Sequence, residues 1–129
     1  MTTLISFQLR HPTSDLADIA TATGFPIARI WTAGKDRQTP KGDSLEGVYQ
    51  ESYVAFKVIA AEGTISAAIA AIDAALRKAL KSQPILRSQE LEKSLYCTLM
   101  AEGETIDCES LRRLVEWGIR LEIAGCPEP

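Results

Sequence analysis

The chain has 129 residues, a length typical of one domain built around one hydrophobic core. Hydrophobic residues make up 46% of it and charged residues 24%, which excludes an intrinsically disordered protein. A net charge of -3 gives no general attraction to nucleic acid, and no apolar stretch is long enough to span a membrane. We therefore expect a single domain over residues 1–129 that binds neither nucleic acid nor membrane.

Three cysteines, Cys97, Cys108 and Cys126, form neither an even set nor a Cys-x-x-Cys pair. Their number and spacing favour neither a disulfide framework nor a zinc site. The first ten residues also lack the basic region and apolar run of an export signal. The sequence therefore predicts a cytoplasmic protein with no metal and no cofactor.

The first secondary-structure elements follow from simple periodicities. Apolar and polar residues alternate over Leu4–Arg10, which predicts a strand with one wet face. Thr13 or Ser14 is a suitable N-cap for a short amphipathic helix that ends at Gly24. We expect this strand and helix to open the fold.

The middle of the chain has no such periodicity. Residues 25–50 are rich in Pro and Gly, which predicts a long loop that contains a brief strand over Ile27–Thr32. Tyr53–Ala60, by contrast, is apolar on both alternate faces, as is typical of an interior strand.

The second half predicts two helices and two strands. Thr64 is a suitable N-cap for a long helix with apolar residues at helical spacing, which Pro84 ends. Leu95–Ala101 predicts a strand, and Asp107 caps a helix that carries Leu111, Leu114 and Val115 and stops at Gly118. Residues 119–123 alternate as a last strand, and residues 126–129 are expected to form a loose tail.

This order of elements predicts an α+β fold, a two-layer sandwich with a mainly antiparallel sheet of four to five strands and helices on one face. An all-parallel doubly wound sheet is disfavoured, because its strands would be apolar on both faces. The first strand-helix unit and the last strand-helix-strand unit have similar patterns. A ferredoxin-like duplication is therefore one arrangement that the sequence allows.

A set of short motifs lies between His11 and Ser52. It comprises His-Pro, Gly-Phe-Pro, Thr-Pro-Lys-Gly-Asp at residues 39–43, and the single residues Trp31, Gly34, Arg37 and Gly47. This pattern resembles the bacterial family catalogued as domain of unknown function 4279, and the similarity extends over nearly the whole chain. Tyr53 stands where the family would have tryptophan. The resemblance implies an α+β fold and a bacterial cytosolic protein, and it supplies no catalytic residue.

The segment from Arg29 to Gly42 contains four basic residues against the single acidic residue Asp36. Such a glycine-containing loop can present cations and backbone N–H groups to phosphates or carboxylates. The alternative is a solvated loop whose charge is relieved by Asp43 and Glu46. From the first interpretation we predict a ligand-binding or partner-binding site formed by Trp31, Lys35, Arg37, Lys41, Gly42 and Asp43. We expect Trp31 to anchor this loop on the core.

Other candidate residues are better explained by structural roles. His11, the single histidine, lacks a paired nucleophile, and Cys108 at the start of a helix lacks a nearby basic partner. Capping and solvation explain a group of carboxylates better than cation binding does: Glu102, Glu104, Asp107 and Glu109.

The polar sides of the predicted strands would form an uncovered sheet face, which suits self-association or docking of another protein as well as plain solvation. Its predicted members are Ser6, Gln8, Arg10, Tyr96, Thr98, Met100, Arg120 and Glu122.

Two functional hypotheses follow. The first is a noncatalytic bacterial binding or protein-interaction module, for instance one that masks a toxin, which uses the basic loop, the open sheet face or both. Its partner would be another protein or a second copy of the chain. The alternative is a small enzyme or binding protein for an anionic small molecule, with Lys35, Arg37 and Lys41 as the binding residues and His11 as acid or base.

Overall fold

The computed structural model describes residues 4–58, 63–99 and 103–125. The strands in these ranges are β1 (Leu4–His11), β2 (Ile27–Trp31), β3 (Asp36–Gln38), β4 (Ser44–Val48), β5 (Ser52–Lys57), β6 (Glu92–Leu99) and β7 (Ile119–Gly125). The helices are α1 (Ala17–Thr23), α2 (Ile65–Leu80) and α3 (Cys108–Trp117), with a short 3-10 helix at Pro84–Arg87. The predicted tail at 126–129, Met100 and Glu102 lie outside the described ranges.

Five strands form one sheet in the order β2-β5-β1-β6-β7, and β3 pairs with β4 in a separate hairpin. β1 is antiparallel to both β5 and β6, and β2 is antiparallel to β5. β7 alone among the described strands of this sheet pairs in parallel, with β6. The prediction of a mainly antiparallel α+β sheet is therefore confirmed.

The connections explain this strand order. β1–α1–β2 and β5–α2–β6 are two strand-helix-strand units, and each leaves a gap between its strands that a strand of the other unit fills. Interleaving of this kind is the split, ferredoxin-like arrangement. The sequence pattern predicted that the last unit, β6–α3–β7, is one of the two repeats. The repeats are instead the two units named above, and β7 extends the sheet at the edge beside β6.

One face of the sheet carries the hydrophobic core. Alternate residues of β1 and β5, among them Phe7, Leu9, Val54 and Phe56, are fully buried, and they belong to one cluster with apolar residues of all three helices. Each strand therefore presents its apolar side to the helical layer and its other side to the open face. In the described ranges no helix has the length and apolar content needed to cross a bilayer.

Capping explains where two of the helices begin. The Thr64 hydroxyl accepts a hydrogen bond from Ala67 N at 3.1 Å, and the Asp107 carboxylate accepts one from Ser110 N at 2.7 Å. Gly118 adopts a φ of 66° and ends α3 as predicted. The predicted starts of α2 and α3 and the predicted end of α3 are therefore confirmed. They were predictable because a cap involves only residues within one turn of the helix end.

The predicted start of α1 is wrong. The helix begins after Leu16, and Asp15 Oδ1 accepts a hydrogen bond from Ala17 N at 2.8 Å. The backbone N–H groups of Thr13 and Ser14 are instead hydrogen-bonded to His11 Nδ1, at 3.1 and 2.9 Å. These bonds hold both residues in the turn that follows β1, so neither caps the helix.

The segment 25–50 contains more regular structure than the sequence predicts. Besides the expected strand β2 it holds the hairpin β3–β4, whose residues are all exposed. An exposed hairpin has no buried side, so its sequence shows no alternation of apolar and polar residues. The hairpin is formed by backbone hydrogen bonds between β3 and β4, and such bonds do not require particular residue types that the sequence would reveal.

Two further differences concern β6 and α3. β6 begins at Glu92, three residues before the predicted start, and it includes the buried Lys93, whose Nζ donates to Leu86 O at 3.0 Å. In α3, Leu114 is buried whereas Leu111 and Val115 are exposed, and Trp117 takes the inner position instead. Neither feature follows from apolar residues at helical or strand spacing.

Candidate functional site

A cleft of about 920 Å³ separates the edge strand β2 from the β3–β4 hairpin. Residues 28–31 of β2 line one side, residues of the hairpin line the other, and 49–51 close one end. Its volume falls within the range of typical ligand sites, about 300–1,000 Å³. The hairpin that the sequence left as loop therefore forms one wall of the candidate site.

The base of the hairpin is a tight turn directly after β2. Lys35 N donates to Thr32 O at 3.2 Å, and Gly34 has a φ of 82°, a conformation that favours glycine. Gly34 N then donates to Tyr49 O at 2.9 Å, and Tyr49 N to Lys35 O at 3.0 Å. These bonds close the hairpin at its base and fix Tyr49 beside the end of β2.

The tip of the hairpin is the Thr-Pro-Lys-Gly-Asp motif. Thr39 N donates to Asp43 O and Gly42 N donates to Thr39 O, both at 2.8 Å, and Asp43 N donates to the Thr39 hydroxyl at 3.1 Å. Gly42 has a φ of 89°. A three-residue hairpin loop that ends in a left-handed glycine needs this kind of sequence. The motif therefore has a structural explanation that requires no ligand.

The structure brings together two of the six predicted site residues. Trp31 and Arg37 line the cleft, whereas Lys41, Gly42 and Asp43 lie at or beside the hairpin tip and Lys35 lies in the basal turn. Pro40, also at the tip, does reach the lining. The spacing along a hairpin explains the separation, because its tip and base are at opposite ends.

Trp31 stacks between two tyrosines on the open face of the sheet. Its ring centroid lies 4.4 Å from that of Tyr53 and 5.0 Å from that of Tyr49. On the other side of Tyr53, the Arg10 guanidinium lies 4.4 Å from the phenol centroid. Arg10, Tyr53 and Trp31 are cross-strand neighbours on β1, β5 and β2. The tryptophan thus anchors the hairpin on the open face, and the prediction of an anchor on the core is wrong.

The tyrosines on either side of the indole are held in place. The Tyr49 hydroxyl donates to Gln38 O at 3.2 Å and accepts from Gln38 N at 3.1 Å, so it ties the stack to β3. Tyr53 is buried under its neighbours, and this burial raises the pKa of its phenol. The row of rings therefore connects β5 and β2 to the β3–β4 hairpin across one wall of the cleft.

The positive charges of this region form no ion pair with a carboxylate within residues 4–58, 63–99 and 103–125. None of the ion pairs among the described residues involves Arg29, Lys35, Arg37 or Lys41. Arg37 Nη1 contacts only a backbone oxygen of this hairpin, that of Glu46, at 3.4 Å. Asp43 and Glu46 form no ion pair with these four residues in the described ranges, although both lie in the same hairpin, so the alternative of a solvated loop whose charge they relieve stays open.

The carboxylate within the cleft, Glu51, is already paired. Its Oε1 lies 2.7 Å from Arg10 Nη1, on the side of the aromatic row away from the hairpin. Glu51 is thus the carboxylate of the cleft lining, and its ion pair is with Arg10 rather than with Arg29 or Arg37.

Several lining residues were absent from the predicted site. Arg29, Tyr49 and the exposed aliphatic residues Ile30, Leu45 and Val48 all line the cleft. The signal available in the sequence was weak: two aliphatic residues, Leu45 and Val48, in an otherwise polar segment that no strand or helix pattern explains. Only the folded structure shows that Leu45 and Val48 line the same cleft as residues 28–31 of β2.

The other candidate residues have structural partners. His11 is buried, its Nδ1 accepts the two backbone N–H groups of the following turn, and it does not line the cleft. Asp107 caps α3, Glu109 pairs with Arg112, and Glu104 accepts a hydrogen bond from Ile65 N. Over the ranges that the structure covers, no group of three or more His, Cys, Asp or Glu is arranged to hold a metal ion.

Comparison of the chain with family models, curated proteins and solved structures gives no match. The resemblance to the bacterial family of unknown function therefore remains a hypothesis that rests on the short motifs between His11 and Ser52.

Proposed function

We propose that this protein is a noncatalytic binding module that holds an anionic part of a partner protein in the cleft between β2 and the β3–β4 hairpin. The observation that carries the proposal is that Arg29 and Arg37 line one cleft and that neither forms an ion pair with a carboxylate of the described residues. Arg29 lies over the ring of Trp31, 5.9 Å from its centroid, and guanidinium groups in a concave site are well suited to bind carboxylates through paired N–H donors.

The apolar lining favours a protein partner over a small polar metabolite. Ile30, Leu45 and Val48 are each at least 40% exposed although they are aliphatic. Exposed aliphatic side chains grouped beside arginine and aromatic residues are typical of protein-interaction surfaces. A small anion would use the arginines and leave this apolar wall in water.

The same geometry argues against catalysis and against nucleic acid. Glu51, the carboxylate in the cleft, is engaged by Arg10, and His11 lies outside it, so the lining supplies no free acid-base pair. Trp31 stacks on both Tyr53 and Tyr49, and the Arg10 guanidinium lies over the ring of Tyr53, so the faces of these two rings are already occupied and are not a platform for nucleic-acid bases. Both points support a binding role for the site.

The proposal is tested by capture from a lysate of the native host. The tagged wild-type chain is compared with an Arg29→Gln, Arg37→Gln double variant and with a control, Lys78→Gln, Lys81→Gln, which removes the same charge from exposed positions at the end of α2. We expect a specific acidic protein with the wild type and the control and at least tenfold less of it with the cleft variant. Equal recovery with all three contradicts the proposal. An anionic metabolite retained by the wild type but not by the cleft variant would support the small-molecule alternative.

A further inference from the structure

We infer that the partner contributes an extended segment with alternating acidic and aliphatic residues, which adds to the sheet as a strand along β2. This inference rests on the proposed function and specifies the form of its ligand. It depends on the free edge of β2, on the direction of the β2 backbone groups, and on the side chains that flank that edge.

β2 is an edge strand of the main sheet, since its one neighbour among the described strands is β5. An edge strand offers a row of unpaired backbone N–H and C=O groups, a ready template for another strand. The strand contains neither Pro nor Lys, two residues that often block such edges. Its irregularity lies at its start, between Ile27 and Arg29, and the register is regular from Arg29 to Trp31.

Hydrogen bonds of β5 show which β2 groups face outward. Val58 N donates to Ile5 O on the β1 side, and Lys57 N donates to Pro26 O on the β2 side. The backbone N–H and C=O groups of successive residues in a strand point to opposite sides. Those of Ala55 and Tyr53 therefore point toward β2, as those of Lys57 do. Their partners on β2 are Arg29 and Trp31, whose backbone groups point toward β5 in turn. The N–H and C=O of Ile30, between those two, therefore point away from β5 and toward the cleft.

The side chains at this edge define the sequence of an added strand. Arg29 and Trp31 lie on the open face of the sheet, and Ile30 lies on the helical face with 40% of its surface exposed. Successive residues of an incoming strand alternate between the same two faces. A carboxylate side chain would thus lie beside Arg29, in the cleft that Arg37 also lines, and an aliphatic one would extend the apolar wall beside Ile30.

The size of the cleft suits such a segment. A strand rises about 3.3 Å per residue, so residues 28–31 accommodate four or five residues of a paired segment. The hairpin on the opposite side covers the added strand with Leu45 and Val48. Backbone pairing supplies affinity in this mode, and the alternating side chains supply specificity.

The probe is a synthetic nine-residue peptide of alternating Glu and Val, titrated into the intact protein and followed by NMR of backbone amides. The peptide is also made with N-methyl groups on every second amide, in both frames, which keeps its charge and removes alternate donors. Protein variants are Ile30→Pro, which removes the outward N–H of an edge position, and Ile30→Val, which keeps it. Arg29→Gln, Arg37→Gln tests the charge.

We expect the Ile30 amide to shift on binding, and affinity to fall at least tenfold with Ile30→Pro, with one methylated frame and with the double arginine variant. Ile30→Val should bind as the wild type does. If both methylated peptides bind as tightly as the unmodified one, strand addition is overturned, whereas binding of an anion in the cleft is not. This comparison uses the wild-type protein, so it remains decisive even if Ile30→Pro does not fold. No binding of the unmodified peptide at millimolar concentration also overturns this inference, whereas the proposed function is judged separately by the capture experiment.

Discussion

The indole of Trp31 stacks on the phenol ring of Tyr53 with their centroids 4.4 Å apart and their planes 29° apart. This contact joins the last residue of β2 to the neighbouring strand on the open face, and Tyr49 continues it into the hairpin at 5.0 Å. The wall of the cleft and the face of the sheet are therefore one packed unit, held by aromatic contacts outside the core.

The stack should contribute measurably to stability. Trp31→Ala removes two ring pairs, together worth roughly 1–3 kcal/mol, and also the apolar area that the indole buries, so we expect a loss of at least about 2 kcal/mol. Trp31→Phe keeps an aromatic ring in the row and should lose less than half of that. Chemical unfolding followed by circular dichroism measures both. Equal stability of Trp31→Ala and wild type would show that the stack does not hold the hairpin.

His11 should be replaceable by a residue with an acceptor in the same place. His11→Ala leaves the N–H groups of Thr13 and Ser14 without their acceptor, at an expected cost of about 1–3 kcal/mol. His11→Asn places an amide oxygen near the position of Nδ1 and should recover most of the stability. Thermal unfolding of the two variants checks this. If both variants unfold like wild type yet abolish a turnover found in the host extract, His11 is catalytic and the structural role is wrong.

The hairpin tip requires glycine at residue 42. Gly42→Ala meets no atom within 4 Å, so its effect isolates the cost of a φ of 89° for a residue with a side chain, about 1–2 kcal/mol. Gly103→Ala is the matched control, because Gly103 also has open space around it and no left-handed φ. We expect the control to stay within about 0.5 kcal/mol of wild type in urea unfolding. Similar losses for both variants would contradict this account of the turn.

Asp73 should make stability depend on pH in the acidic range. Partial burial tends to raise its pKa, but hydrogen bonds from Trp117 Nε1, at 2.8 Å, and from Arg77 outweigh burial and lower the pKa. A pKa that is lower in the folded state stabilises the protein above the unfolded-state value, near pH 4, and that stability is lost as the pH falls through the folded-state value.

Asp73→Asn keeps an acceptor for Trp117 and removes the charge. Its stability should therefore fall less steeply than that of wild type as the pH drops from about 5 to 2. Urea unfolding at intervals of half a pH unit gives both slopes, and Asp18→Asn, at an exposed position of α1, is the control. Parallel curves for wild type and Asp73→Asn would show that this carboxylate does not contribute.

The two cysteines in the described ranges should differ in reactivity. Cys97 is buried in β6, and burial together with Glu104 raises the pKa of its thiol to about 11, whereas Cys108 is exposed at the start of α3. In a Cys126→Ser background, a maleimide reagent at pH 7.5 should modify Cys108 at least a hundredfold faster than Cys97. Mass spectrometry of digested samples identifies the site. Comparable rates under native conditions would mean that β6 opens readily.

Much of the fold could be predicted because its signals are local. The wet face of β1, the buried β5, and the caps Thr64 and Asp107 are each encoded within a few residues. The candidate site was predictable in part: its basic charge and two of its members, Trp31 and Arg37, followed from one unusual segment. Lys41, Gly42 and Asp43 lie at or beside the hairpin tip, outside the lining, and the sequence could not show this because a turn-forming motif and a ligand-binding loop share the same residue types.

The sequence by itself determined the α+β class, the start of the long helix at Thr64 and the concentration of basic residues between Arg29 and Lys41. Only the tertiary structure decided that Arg29 and Arg37 share a cleft, that Trp31 stacks on Tyr53, and that the edge of β2 faces the hairpin. The physical reason is the range of the interactions. Periodicity and caps act within one element, whereas the cleft exists only after β2 pairs with β5 and the exposed hairpin folds back beside it.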